Sequence, residues 1–193
     1  EGAASSPGGA ARAAGGTSPA ETLSRMLGSQ AVLDLYQTAG FYTAADIYLP
    51  VLVGTPLDTK DPTAAAFAAH LTPLNLALAA AAISAGGERP QPLLVLDLRA
   101  QGASWQALYH SPDPQTVFEA HAAQDAARIL ADPLLLTWHA LGSADPENGS
   151  ETPYTWFLGG TRTGWQGSPL ALVLVIEGAQ AELVQEIGEQ VLD

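Results

Sequence analysis

The residues able to do chemistry are few in this chain. There is one lysine, Lys60, set between Asp58 and Asp61. Cysteine is absent, which excludes disulfides, thiolate nucleophiles and Cys-based zinc sites. The four histidines, His70, His110, His121 and His139, are scattered without ligand spacing, so no metal site is expected. Asp145, Glu147 and Glu151 form an acidic cluster. Paired carboxylates of this kind serve hydrolysis, but the surrounding DPENGSE reads better as a solvated turn. Asn148-Gly149-Ser150 fits a glycosylation sequon and equally a turn tip. Trp156-Phe157 offers a stacking platform for a sugar, with core packing the better reading. Gly86-Gly87 and Gly159-Gly160 lack the lysine and spacing of a phosphate loop.

Charge narrows the partners further. Twenty acidic residues against seven basic give a net charge of −13. Nucleic acid is excluded as a partner, because phosphate binding needs a basic patch. An anionic membrane surface is disfavoured for the same reason. The chain is 47% hydrophobic and 14% charged, enough apolar material for one domain core.

These residues must be positioned by helices followed by a sheet. Residues 1–17 are small and Gly-rich and read as a flexible tail, leaving 18–193 as the domain. Ser18, Pro19 and Glu21 open a helix over 18–27 in capping-box fashion, closed by Gly28. A second short helix carries Ala31, Leu35 and Ala39 and stops at Gly40. Residues 41–71 read as a long irregular connection. Thr72 caps a helix with Pro73 at its first position, and Gly86-Gly87 end it. Its apolar run of about 15 residues is shorter than the roughly 18–20 of a membrane span, so it is expected in a core. Strands follow at 92–99 and 105–110 as a hairpin, then a helix over 116–131 and strands at 134–142, 152–160 and 169–177. An amphipathic helix over 179–192 closes the chain, with Leu183, Val184, Ile187 and Val191 on its apolar face. The fold class is α+β: N-terminal helices, an antiparallel sheet and a C-terminal covering helix.

Three segments, RMLGSQAVLDLYQTAGFYTAADIYLP, LTPLNLALAAAAISAGGERPQPLLV and GSADPENGSETPYTWFLGG with PLALVLVIEGA, in this order resemble penicillin-binding transpeptidases. LTPLNLALAAAAISAGGERPQPLLV is similar to that family's TPLQ-A-AYA-ANGG stretch, with Thr72, Pro73, Leu74, Ala77, Ala80, Ala81, Gly86, Gly87 and Pro92 matching. Upstream, RMLGSQAVLDLYQTAGFYTAADIYLP resembles its LG…FG…LP stretch. Downstream, GSADPENGSETPYTWFLGG and PLALVLVIEGA resemble its GTA…WF-x-G…VVVE segment. The resemblance implies a partial serine β-lactamase/transpeptidase fold, without the nucleophile-bearing region.

The family's chemistry uses a Ser-x-x-Lys nucleophile, a Ser-x-Asn motif and a Lys-(Thr/Ser)-Gly strand that binds substrate carboxylate. Neither of the first two motifs occurs here. The third aligns with Ala140-Leu141-Gly142-Ser143-Ala144. Glycine, hydroxyl and alanine are kept, and the lysine is Ala140, which carries no charge to hold a carboxylate. His139 adjoins that position, as a substitute cation or as a packing histidine. The degenerate strand His139, Ala140, Gly142 and Ser143 is the candidate binding site, with no catalytic residue, cofactor or metal expected. The leading expectation is a catalytically inactive transpeptidase-like domain, a scaffold or binding module for cell-wall synthesis proteins or peptidoglycan. It would lie outside the cytoplasmic membrane, anchored through upstream sequence, since the chain opens without a start methionine or signal core. The alternatives are the C-terminal half of an active D,D-transpeptidase whose serine lies upstream, and an unrelated acidic interaction domain.

Overall fold

A computed structural model describes residues 22, 25–45, 47, 50–56, 70–107, 113–144 and 152–192. The tail over 1–17, Lys60, His110 and the acidic turn over 145–151 lie outside the described residues, as does most of the helix expected over 18–27. Residues 22 and 25–27 are helical.

Helix α1 spans Ser29–Thr38 and closes at Gly40, whose φ of 79° suits glycine. The guanidinium of Arg89 occupies the space that a Cβ on Gly40 would take. One Arg89 nitrogen donates to the Ala39 carbonyl (3.2 Å) and the other to Gln115 Oε1 (2.9 Å). A cation thus sits on the carbonyl end of α1, where the helix dipole favours it. Helix α2, Pro73–Ser84, starts as its sequence dictates. Thr72 Oγ1 accepts from the Asn75 N–H (3.1 Å) and donates to Asn75 Oδ1 (2.6 Å). Buried Asn75 then donates to the Gly40 carbonyl, which locks α2 against the end of α1. Gly86 and Gly87 turn the chain out of α2 at positive φ, with the Gly87 N–H on the Ala82 carbonyl (2.7 Å).

Two short pairs follow: β1 (Glu88–Arg89) with β4 (Gln115–Thr116), and β2 (Asp97–Leu98) with β3 (Gln106–Ala107). Helix α3 covers Ala120–Leu130. The main sheet is β5 (Thr137–Ala144), β6 (Tyr154–Thr161) and β7 (Ala171–Glu177), antiparallel in the order β5-β6-β7. Helix α4, Ala181–Leu192, closes the chain.

Strand alternation splits the sheet into two buried faces. Trp138 and Leu158 pack with Ala80, Ile83 and Ala127 of α2 and α3. Phe157, Leu141, Leu172, Leu174 and Ile176 pack with Val184 and Leu192 of α4. The layers are helix, sheet, helix. Glycine sets how closely they approach. Ser84 Oγ reaches over Gly160 and accepts from Trp138 Nε1 at 3.1 Å. Gly188 of α4 lies flat on the Phe157 ring, 2.6 Å from where its Cβ would be.

Several boundaries differ from the sequence reading. The strand expected over 92–99 shrinks to Asp97–Leu98, and Leu94, Val95 and Leu96 are exposed. Among the described residues only its Asp97–Leu98 end pairs, with Gln106–Ala107, and strand propensity alone does not make a long strand. The helix expected from 116 starts at Ala120, because Thr116 pairs with Glu88 and the Val117 and Phe118 N–H groups bind the Gly87 carbonyl. The strand expected from 134 starts at Thr137. Asp132 Oδ1 first takes the Leu134 N–H (2.8 Å) in a turn, and Arg162 donates to the Leu135 carbonyl (2.9 Å). On α4 the buried stripe is Val184, Gly188 and Leu192, while Leu183 is 43% and Val191 58% exposed. The flat seat of Gly188 on Phe157 fixes that rotation.

Replacing Gly188 with valine should cost about 1–3 kcal/mol in urea unfolding, because the fully buried Phe157 ring has nowhere to move. Burial raises the phenol pKa values of Tyr36 and Tyr42, with Tyr36 adding repulsion at Tyr42. The folded form therefore holds these protons above the ordinary tyrosine value of about 10. Their contribution to stability is full below that pH and is lost as pH rises through it and beyond. Ultraviolet titration should show late-ionising tyrosines, and unfolding midpoints should fall in the same alkaline window.

Candidate functional site

The site is built on β5, the strand that runs Thr137-Trp138-His139-Ala140-Leu141-Gly142-Ser143-Ala144. Its register is fixed by β6: His139 opposes Gly159, Ala140 opposes Leu158, Gly142 opposes Trp156 and Ser143 opposes Thr155. Because strand side chains alternate, the four candidate residues divide between the two faces. Ala140 and Gly142 share the face of Trp138, toward α2 and α3. His139 and Ser143 share the face of Leu141, toward α4.

His139 is a packing histidine by its surroundings. Its ring stacks on Phe157 with centroids 5.3 Å apart and planes 17° apart. Its Nε2 lies 3.7 Å from Glu189 Oε1 on α4, and that carboxylate also accepts from Gln185 Nε2 at 2.7 Å. The ring thus lies on the face of the sheet opposite to that of Ala140.

On the opposite face, the Trp156 indole lies across Gly142 in the space a Cβ would fill. Ala140 is half-buried, and Ser143 and Ala144 are exposed at the strand's end. Two neighbours extend the site beyond what the sequence indicated. Glu189 belongs to a helix read only for its apolar face, and no spacing rule ties it to His139. Trp156 was read as core, and its position over Gly142 follows from strand register.

A shallow cleft of about 210 Å³ lies elsewhere, lined by Gln124, Asp125, Ala127, Arg128, Arg162 and Thr163. None of the four β5 candidates lines it. Its arginines are engaged: Arg128 with Asp125 at 3.0 Å, and Arg162 with the Leu135 carbonyl. Among the described residues, no group of acidic or histidine side chains is arranged to hold a metal ion, and no helix is long and apolar enough to cross a membrane.

A three-stranded antiparallel sheet between two helical layers, with a helix-capping TP at its entry, defines an α+β fold that solved structures share. No protein-family profile matches the sequence, and no curated protein matches it. Penicillin-binding protein A from M. tuberculosis, as its imipenem acyl-enzyme complex, matches with a TM-score of 0.74 and 21% identity. The match covers 91% of this chain and 44% of that one. Penicillin-binding protein 3 from the same organism, complexed with aztreonam, matches with a TM-score of 0.68 and 16% identity, covering 89% and 48%. The D,D-transpeptidase domain of a peptidoglycan glycosyltransferase from Eggerthella lenta gives 0.67 and 20%, covering 89% and 50%.

The chain therefore has the fold of the C-terminal part of a penicillin-binding protein transpeptidase domain. It spans about half the length of the solved structures it matches.

Replacing Gly142 with valine should displace the Trp156 indole and cost about 1–3 kcal/mol. A shifted tryptophan emission in the folded variant, alongside a lowered urea midpoint, checks both effects.

Proposed function

We propose that the chain is a catalytically silent transpeptidase-like domain, a binding or scaffolding module in peptidoglycan synthesis outside the cytoplasmic membrane, anchored through upstream sequence. One observation carries the reading. Position 140, where the resemblance implies a lysine, is an alanine on β5, and the neighbouring histidine is turned to Glu189 on the other face. Carboxylate capture by a lysine depends on a charge that an alanine does not supply. The sequence holds one lysine in all, Lys60, and that residue falls outside the described part of the fold.

What remains of the motif at the exposed strand end, Ser143, keeps backbone and hydroxyl groups suited to peptide contact without acylation. Penicillin-binding protein A has been solved as acyl-enzyme complexes with imipenem and penicillin G. This domain is expected to form no such adduct.

Incubation with a fluorescent penicillin, followed by denaturing electrophoresis, should leave the chain unlabelled, while purified peptidoglycan should retain it in sedimentation. A covalent band on the chain itself would overturn the silent reading. A band seen only when these residues form part of a longer polypeptide would replace it with the second reading, the C-terminal half of an active D,D-transpeptidase. The half-length match to the solved structures favours that alternative.

A further inference from the structure

The shallow cleft between α3 and the turn after β6 carries a charge pattern that the β5 strand does not use. Two of the chain's seven basic residues, Arg128 and Arg162, meet there with one carboxylate, Asp125. The lining is therefore cationic on a chain whose net charge is −13.

Arg162 is fixed in place by the protein's own backbone. Its N–H donates to the Leu136 carbonyl (2.7 Å), and its carbonyl accepts from the Trp165 N–H (3.1 Å). Its Nη1 donates to the carbonyls of Leu135 (2.9 Å) and Asp132 (3.5 Å). The Asp132 carboxylate is turned to the Leu134 N–H instead. A guanidinium has five N–H donors, and Nη1 supplies two of them. Among the described residues, Nε and Nη2 of Arg162 have no hydrogen-bond partner. Those two nitrogens form one edge of the planar fork, an edge that fits a carboxylate through two parallel bonds. With the side chain already held, little rotamer freedom is left to lose on binding.

Arg128 shows the same chemistry on the facing wall. Its Nε and Nη2 both approach Asp125 Oδ1, at 3.4 and 3.0 Å. The two side chains are 65% and 58% exposed, so water screens the pair and an incoming carboxylate can exchange with Asp125. Gln124 and the Thr163 hydroxyl add uncharged donors to the lining. Phosphate brings nearly two negative charges against Asp125, where a carboxylate brings one. Leu135 and Leu136, whose carbonyls hold Arg162, carry exposed side chains, so apolar surface adjoins the fork. That surface suits an organic carboxylate over a bare anion.

We propose that this cleft binds a carboxylate of a peptide, gripped by the Nε–Nη2 edge of Arg162 and faced by Arg128. Magnetic resonance of the arginine Nε groups during titration tests this. The probes are acetyl-alanyl-alanine, its C-terminal amide, acetyl-glutamyl-alanine amide and inorganic phosphate. The free C-terminus or the glutamyl side chain should shift the Arg162 Nε signal with a Kd on the order of 1 mM. Binding of either supports the site, and the tighter of the two names the source. The alanine amide should have no effect, and phosphate should bind roughly tenfold more weakly. Arg162→Lys keeps a charge and loses the fork, and Arg128→Gln removes an exposed cation. Each should weaken binding by roughly tenfold, with far-ultraviolet circular dichroism unchanged. Asp125→Asn removes the resident competitor and should tighten binding, a gain that misfolding does not produce. No shift at Arg162 up to about 20 mM probe overturns the proposal. So does an equal response to the alanine amide, tighter binding of phosphate, unchanged affinity in R162K and R128Q, or no gain in D125N. The silent reading of β5 stands or falls separately, since none of its residues takes part.

Discussion

Everything in this molecule depends on two helices lying directly against one small sheet, and glycine makes that contact possible. At Gly160 the absence of a side chain admits Ser84 of α2, which accepts the Trp138 indole N–H in the core. At Gly188 the absence of a side chain lets α4 rest on the Phe157 ring. Trp138 and Phe157 are both fully buried, one on each face. A small sheet gains its stability from a hydrophobic face packed against helices. Held between layers at this distance, the three strands fix the register of β5, and with it the place of every residue in the candidate site.

That register also separates fold from chemistry. The segment beginning with Thr72 and Pro73 builds a capped helix because its hydroxyl and ring meet the needs of a helix start. Those needs are the same in an active enzyme and in a silent one. Position 140 is a half-buried alanine on β5, and the sheet holds its register there. A fold of this class does not by itself fix the chemistry carried on it.

Much of the architecture was legible in the sequence. The Thr72 cap, the Gly86-Gly87 exit, the three late strands and the closing helix stand close to where propensity and periodicity placed them. The misses share one physical cause. Leu94–Leu96 have strand propensity, yet among the described residues no layer lies against them. Residues 116–118 look helical, yet the Gly87 carbonyl and Glu88 capture them first. Leu183 and Val191 belong to an apolar pattern, yet the helix is rotated by a glycine that pattern analysis scores as neutral. Each outcome was decided by a partner distant in sequence.

The candidate site divides in the same way. Residue identity alone determined that position 140 carries no charge and that no cysteine chemistry exists, because charge and thiol are properties of side chains wherever they sit. Which face His139 occupies, that Glu189 receives it, and that Trp156 covers Gly142 were decided only by tertiary structure. These follow from strand register and helix rotation, which arise from contacts between residues far apart in the chain and leave no local trace in its sequence.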